Sequence, residues 1–217
     1  MFFQELPSAL VADDHPLFRS ALIQALTPIF DQRIAETANL DSTIGYLQDH
    51  PGTDITFLDI NMPGNEGLNG LVSCLHQFPN TLFVIVSAQE SIAVMHRTIK
   101  LGAVGFIPKS ASLDTIASAV EQILSGETWL PHSDAYDALT GVQDEDFAAR
   151  LALLTPHQLK VLQYMSEGLL NKQIAHEMVI SESTVKQHAS AVLKKLNVIN
   201  RTKAGVLFKH WTEVSEE

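Results

Sequence analysis

Apolar residues along the chain alternate between short continuous runs and stripes with helical spacing. The apolar run 8–12, for example, is followed by residues 17–26, whose apolar side chains recur at i, i+4 and i+8. Short runs bounded by turn residues predict buried strands, and the stripes predict amphipathic helices. The predicted strands, each followed by a helix, are 8–12, 33–38, 54–58, 81–86 and 105–108. This order predicts a five-stranded doubly wound parallel sheet, an α/β fold with helices on both faces.

Polar residues with reactive side chains stand at or just past the ends of four predicted strands. They are Asp13 with Asp14, Asp59, Ser87 and Lys109. Parallel strands point the same way, so their carboxyl ends share one edge of the sheet, where open α/β folds bind ligands. Each residue alone has an ordinary explanation as a helix cap, a turn residue or a solvated charge. Their occurrence at successive strand ends instead predicts one common pocket.

The residue types in this pocket suit phosphoryl transfer. Crowded carboxylates repel one another, and a hard divalent cation such as Mg²⁺ relieves that repulsion while it binds phosphate oxygens. A carboxylate can also attack phosphorus and form an aspartyl-phosphate. The transferred group needs positive charge and hydrogen-bond donors around its oxygens. Lys109 and Ser87 would supply them.

Residues 6–128 resemble the receiver domain of bacterial two-component response regulators, a flavodoxin-like fold with strand order 2-1-3-4-5. The matching motifs are Asp13-Asp14, Asp59 with Met62-Pro63-Gly64, Ser87-Ala88 and Pro108-Lys109. The resemblance implies Asp59 as the phospho-acceptor and Phe106 as an aromatic switch residue. It implies that Ser87 and Lys109 contact the phosphoryl group. The implied Mg²⁺ neighbours are Asp13, Asp14, Asp59 and the backbone carbonyl of Asn61.

Charge divides the chain into parts of different character. The net charge is −11, yet residues 151–217 carry 8 lysines and arginines against 6 acids, whereas residues 1–130 carry 5 against 14. Such asymmetry between halves predicts two tasks. We therefore predict a receiver domain at 1–130, a linker at 131–150 and a second domain at 151–217.

The segment 131–150 admits two interpretations in its second half. Its acidic composition, with Pro131 and Gly141, favours a linker. Phe147, Leu151 and Leu154, however, lie at i, i+4 and i+7 behind three acidic residues, which is typical of a helix start. A linker and a short helix both remain open for residues 141–150.

The last 67 residues predict a compact all-α domain. Thr155, Pro156 and Gln158 form a capping-box start for its first helix. A short helix at 171–178 follows, and Ser181 caps a longer one at 182–196. Two helices joined by a tight turn predict a helix-turn-helix, whose second helix enters the DNA major groove.

The exposed face of this longer helix suits phosphates and base edges. Solvated faces usually mix both signs of charge, but the residues predicted to face outward include no acid: Ser183, Lys186, Gln187, Ser190 and Lys194. The other interpretation, a basic helix packed on the first domain, remains open on the pattern alone.

Residues 151–217 resemble the LuxR-type DNA-binding domain. The matching motifs are Leu154-Thr-Pro156, Gly168, Asn171-Lys172, Ile174-Ala175, Ile180-Ser181, Thr184-Val185-Lys186, His188, Lys195-Leu196 and Asn200-Arg201-Thr202. The resemblance implies that Lys186, Gln187 and Ser190 face the bases. The phosphate-binding residues that it implies are Lys172, Ser183, Thr184, Lys194 and Arg201. A fourth helix, about 202–211, resembles the dimer-forming element of the family.

One residue departs from the LuxR pattern. Leu170 stands where the family usually has Ser or Thr before Asn171-Lys172, so the hydroxyl cap of that helix is absent. We expect Asn171 to cap the helix one residue late. The absence of the hydroxyl cap should cost on the order of 1 kcal/mol of helix stability.

Taken together, the chain resembles a response regulator of the NarL/FixJ class. The resemblance implies a transcription factor, not an enzyme, that a sensor histidine kinase phosphorylates on Asp59. It implies Mg²⁺ as cofactor, double-stranded DNA as partner and a homodimer in the phosphorylated state. Two alternatives remain. One is an aspartate-nucleophile phosphohydrolase, although such enzymes usually have a second Asp where this chain has Asn61. The other is a phosphorylation-independent DNA-binding protein with a receiver-like dimerisation domain.

The sequence also predicts a cytoplasmic location without a membrane segment. No apolar run approaches the roughly 20 residues that a membrane span requires, and the N-terminus lacks the pattern of a signal peptide. The single cysteine, Cys74, excludes an intrachain disulfide framework, which fits a reducing compartment.

Overall fold

The structure, a computed structural model, describes residues 8–65, 67–131 and 142–213. The chain divides into two compact units: among the described residues, the first contains residues 8–131 and the second contains residues 142–213. Among the described residues, no helix has the length and apolar character needed to span a bilayer.

The first unit is a parallel sheet with helices on both faces. Its strands are β1 (Ala9–Ala12), β2 (Ile34–Thr37), β3 (Ile55–Asp59), β4 (Leu82–Ser87) and β5 (Gly105–Pro108). All pair in parallel, in the order β2-β1-β3-β4-β5. Its helices are α1 (Pro16–Phe30), α2 (Leu40–Asp49), α3 (Asn69–Gln77), α4 (Ile92–Leu101) and α5 (Leu113–Leu124). The predicted fold class and strand order are confirmed.

Side-chain alternation along the strands builds a separate core on each face of the sheet. In β3, Phe57 packs with α1 and α5 residues such as Leu26 and Val120. The next residue, Leu58, points the other way and packs with residues of α2, α3 and α4, including Leu71. The strands β1, β3 and β5 are buried along their whole length, and the polar residues Asp59 and Ser87 come last in β3 and β4, at the edge of the sheet.

The second unit is entirely helical among its described residues. Its helices are α6 (Val142–Ala152), α7 (Pro156–Ser166), α8 (Asn171–Glu177), α9 (Glu182–Leu196) and α10 (Arg201–Thr212). The capping box of α7 forms as predicted: Gln158 N–H donates to Thr155 Oγ1, and Thr155 N–H donates to Gln158 Oε1. The hydroxyl of Ser181 accepts from Thr184 N–H and caps α9.

Helix α6 covers most of the second half of the segment predicted as a linker at 131–150. Of the two open interpretations for residues 141–150, the helix is found. Phe147 is buried, and its ring centroid lies 5.8 Å from that of Trp211 in α10. Arg150 Nη1 donates to the carbonyl of Leu196 (3.0 Å) at the end of α9. These apolar and capping contacts stabilise α6 on its neighbours; residues 132–141 lie outside the described residues.

Candidate functional site

The carboxyl edge of the sheet brings three of the predicted residues into direct contact. Asp59, the last residue of β3, is 1% exposed. Lys109, which follows β5, places its Nζ 2.7 Å from Oδ2 of Asp59 and 2.7 Å from Oδ2 of Asp13. The backbone N–H of exposed Asn61 donates to Oδ1 of Asp59 (3.0 Å). The two carboxylates therefore share one ammonium group.

The surroundings of Asp59 shift the pKa of its carboxyl group in opposing directions. Burial raises the pKa of this carboxyl group above its ordinary value, because a buried charge loses hydration. The hydrogen bonds from Lys109 and from the Asn61 backbone, together with the charge of Lys109, lower the pKa in part, and the charge of Asp13 raises it. The net shift is upward. An added cation would therefore stabilise the ionised carboxylate.

His15 is a member of the pocket that sequence reasoning missed. Its Nδ1 lies 2.8 Å from Oδ1 of Asp14, 3.3 Å from Oδ1 of Asp13 and 3.9 Å from Oδ2 of Asp59. One ligand atom from each of these four residues lies within 4.8 Å of the other three. Three carboxylates at this spacing suit a hard divalent cation. The available signal was the position of His15, directly after the acidic pair and before Pro16.

Ser87 and Phe106 are both completely buried near this edge. The hydroxyl of Ser87 accepts from the backbone N–H of Gln89 (3.0 Å). The carbonyl of Ser87 accepts from the backbone N–H of Lys109 (2.8 Å), which ties the ends of β4 and β5 together. The ring of Phe106 lies in the core beneath α3 and α4.

Asn65 holds the loop after Asp59 and was also missed. Its Nδ2 donates to the carbonyl of Asp59 (3.1 Å), and its Oδ1 accepts from the N–H of Gly70 (2.9 Å) in α3. A Cβ at position 70 would displace this Oδ1, so the glycine leaves the room that the hydrogen bond occupies. The asparagine thus fixes the backbone of Asp59 relative to α3.

In the second unit, the predicted DNA-facing residues lie mostly at the surface. Lys172 is exposed on α8, and the exposed residues of α9 are Ser183, Lys186, Gln187, Ser190 and Lys194. Thr184 is half-buried, and its Oγ1 lies 2.7 Å from Ser181 Oγ. An acid lies beside this face: Glu182, one helical turn before Lys186, pairs with the Lys186 ammonium at 3.0 Å.

Arg201 is half-buried and holds the loop before α8. Its guanidinium donates to the carbonyl of Leu169 (2.5 Å) and to Oδ1 of Asn171 (3.1 Å). The expectation that Asn171 caps α8 is therefore wrong. Leu170 occupies the cap position with extended dihedral angles and no side-chain acceptor. Half of a capping box survives, because Gln173 Oε1 accepts from the N–H of Leu170 (2.7 Å).

Comparison with known families agrees with both units. Residues 9–121 match the response regulator receiver domain, and residues 152–208 match the LuxR family of bacterial regulatory proteins. The chain belongs to the response regulators that join a receiver domain to a LuxR-type DNA-binding domain, the NarL/FixJ class of transcription regulators.

Individual relatives cover nearly the whole chain. It is 44% identical over 202 residues to the glycerol metabolism activator of Pseudomonas putida, covering 90% of this chain and 91% of that protein. It is 30% identical over 210 residues to the nitrate/nitrite response regulator protein NarL of Escherichia coli. That match covers 94% of this chain and 95% of the Escherichia coli protein. A structure of RcsB from Salmonella enterica serovar Typhimurium bound to promoter rprA superposes with a TM-score of 0.56. The two sequences are 21% identical, and the superposition covers 96% of this chain and 100% of the RcsB chain. At this identity the likeness shows only that the two proteins share a fold.

Proposed function

We propose that this response regulator is phosphorylated on Asp59 and that the phosphorylated form controls its binding to DNA. In the transfer, one carboxylate oxygen of Asp59 bonds to phosphorus while the bond between phosphorus and the donor breaks. A sensor histidine kinase would be the donor. The observation that carries the proposal is the 2.7 Å contact between Asp59 and Lys109, which puts a positive charge beside the attacking carboxylate. That charge would stabilise the oxygens of the incoming group.

The neighbouring acids complete the proposed site. Asp13, Asp14 and Asp59 would hold Mg²⁺ together with the carbonyl of Asn61, and their crowding supports this assignment. A bound Mg²⁺ supplies charge neutralisation for the phosphoryl oxygens. Lys109 would remain paired with the phosphoryl group, and the Ser87 hydroxyl would donate to it. Because the role of the site is to hold a phosphoryl group, we propose no turnover beyond slow self-catalysed transfer and hydrolysis.

Ser87 and Phe106 would carry the signal from the pocket to the receiver surface. A ligand shifts an equilibrium only when it binds one arrangement better than another. The ring of Phe106 is completely buried, which is the inward position of this residue. Phosphorylation would then stabilise this arrangement by drawing the Ser87 hydroxyl toward the phosphoryl group, and the altered surface would favour a homodimer.

Helix α9 would read DNA in this proposal. The exposure of Lys186, Gln187 and Ser190 supports their contact with base edges. Lys172, Ser183, Thr184 and Lys194 would contact phosphates. Arg201 is reassigned to a positioning role, because two of its contacts hold the loop before α8. DNA binding of this kind belongs in the bacterial cytoplasm.

The Pseudomonas putida relative suggests a first set of target genes. That protein is described as a glycerol metabolism activator and is 44% identical over 90% of this chain. We propose activation of genes of glycerol metabolism as the first hypothesis to test. Mapping of binding sites across the host genome, with and without a phosphodonor, would support it if glycerol genes carry phosphorylation-dependent sites.

Phosphorylation can be tested with a small phosphodonor and Mg²⁺. Intact-mass measurement should detect one added phosphoryl group on the wild-type chain and none on Asp59→Asn. Asp54→Asn is the matched control, because Asp54 is exposed at the other end of β3, where its carboxylate binds Ser8. Equal labelling of the Asp59→Asn variant would remove Asp59 from the acceptor role.

The DNA assignment can be tested with three variants on cognate and random duplexes. Lys186→Ala should reduce preference at about one base position, whereas Lys172→Ala should weaken binding to both duplexes alike. Loss of the Lys172 contact should also reduce the salt slope by about 0.9. Arg201→Gln should weaken binding without changing that slope, since its role is to hold the loop. Equal losses on both duplexes for Lys186→Ala would contradict base contact.

A further inference from the structure

The backbone fixes the direction in which His15 enters the pocket. His15 is the N-cap residue of α1, and Pro16 follows at the first helical position. The N–H of His15 donates to Oδ1 of Asp13 (2.8 Å), so the turn that ends β1 folds back on its own acid. The imidazole therefore extends from a fixed backbone rather than from a free loop.

The Nδ1 atom of this ring faces the same carboxylates that would hold the metal ion. It lies 2.8 Å from Asp14 and 3.3 Å from Asp13, and the ammonium of Lys109 is 3.4 Å away. Ligand atoms that bind one ion at about 2.0–2.3 Å lie roughly 3 Å apart when they are adjacent. The nitrogen thus stands at the spacing of a coordinating atom.

Nothing in the general chemistry of a carboxylate site calls for a nitrogen there. Carboxylates, carbonyls and water suit Mg²⁺, whereas imidazole favours later first-row ions such as Co²⁺, Ni²⁺ and Zn²⁺. A site with one imidazole and three carboxylates should therefore prefer different metal ions from a site with the three carboxylates alone. The side chain of His15 is 64% exposed, which leaves the ring room to adjust to an ion.

We propose that His15 coordinates the metal ion through Nδ1 and shifts the selectivity of the site from Mg²⁺ toward Co²⁺ and related ions. The inference rests on the proposed function, because it assumes that Asp13, Asp14 and Asp59 form a metal site. It adds a specificity-determining ligand from this chain to that site.

The test compares the affinities of Co²⁺ and Mg²⁺ for the full chain and for two variants. His15→Asn keeps a residue suited to a helix cap but replaces the nitrogen ligand by an amide. His50→Asn makes the same change at an exposed histidine of the receiver unit, at the C-cap of α2. The ratio of Co²⁺ affinity to Mg²⁺ affinity should fall about tenfold in His15→Asn. It should not change in His50→Asn.

A spectroscopic measurement distinguishes coordination from an indirect effect. Electron spin-echo modulation of bound Mn²⁺ should contain a directly bonded nitrogen in the wild type and in His50→Asn, and should lose it in His15→Asn. If both ions bind the wild type but the affinity ratio is the same in His15→Asn, or no nitrogen is detected, His15 is not a ligand. If the wild type binds neither ion, the metal site of the proposed function fails as well.

Discussion

Lys109 and Asp59 form an ion pair of 2.7 Å between the end of β5 and the end of β3. The same ammonium lies 2.7 Å from Asp13, and both carboxylates are almost completely buried. Lys109 therefore occupies the position of a counter-ion between two acids that would otherwise repel each other. A divalent cation bound by these acids would share them with the ammonium.

Removal of this ammonium should strengthen the binding of Mg²⁺. We expect Lys109→Met to raise Mg²⁺ affinity about tenfold, which corresponds to about 1.4 kcal/mol, because no fixed positive charge then repels the ion. The same variant should accept phosphate poorly. Calorimetric titration with Mg²⁺ measures the first effect, with Lys100→Met, at the end of α4, as the control. Unchanged or weaker Mg²⁺ binding in Lys109→Met would show that the lysine does not compete with the ion.

The raised pKa of Asp59 gives a prediction with a definite sign. Since the folded chain binds this proton more tightly than the unfolded chain, the stability from this group is lost as the pH rises from about 4 through the raised pKa. Asp59→Asn removes the buried charge. It should therefore change the free energy of unfolding more favourably at pH 7 than at pH 4.

Urea unfolding of wild type and variant at both pH values measures this difference. Asp54→Asn serves as the control, since Asp54 is exposed and binds Ser8. If Asp59→Asn raised the free energy of unfolding at pH 4 by as much as at pH 7, or by more, the ionised Asp59 would not be the destabilising group.

The pocket was predictable where it depends on sheet geometry. The carboxyl ends of parallel strands lie at one edge of the sheet. The apolar runs that end at Asp59 and before Lys109 were therefore enough to predict that these two residues lie close together. His15 and Asn65 were not predictable in this way. Their positions depend on turns, in which the local hydrogen bonds of the backbone rather than any periodicity direct the side chain.

The second unit shows the same limit at its helix ends. The capping box at Thr155 and the cap at Ser181 follow from local residue types and were predicted. The role of Asn171 was not, because Arg201, thirty residues later in the chain, binds its side chain. Helix α6 remained ambiguous for a related reason. It is stabilised by the distant partners Trp211 and Leu196, which a local window of sequence does not contain.

Restoring a hydroxyl at position 170 should stabilise the second unit. Leu170 has the extended dihedral angles of an N-cap and is 67% exposed, so a serine would fit without opening a cavity. We expect Leu170→Ser to raise the free energy of unfolding by about 1 kcal/mol. Leu153→Ser is the matched control, because Leu153 is 63% exposed but is not an N-cap residue; the next helix is capped by Thr155. Thermal unfolding of both variants shows whether the gain comes from capping α8 or from replacing any exposed leucine by a polar residue. An equal rise in Tm for the two variants would contradict the capping role of position 170.

A strained valine in the helix-turn-helix gives the last prediction. Val179 has a φ of 54° at the end of α8, and it is 89% exposed. Its N–H donates to the carbonyl of His176, and the N–H of Ile180 donates to that of Ala175. These two bonds form a Schellman motif, in which the residue at this position is usually glycine or asparagine. A β-branched side chain is strained there, by about 1–2 kcal/mol.

We therefore expect Val179→Asn to raise the free energy of unfolding of the chain by about 1 kcal/mol, since asparagine tolerates the left-handed conformation. Ile199→Asn is the matched control. Ile199 is a β-branched residue with 85% exposure, but it is not among the described residues with positive φ. Urea unfolding of the two variants should therefore detect a gain for position 179 alone. A gain of the same size at position 199 would trace the effect to lost surface hydrophobicity instead of to the strained backbone between α8 and α9.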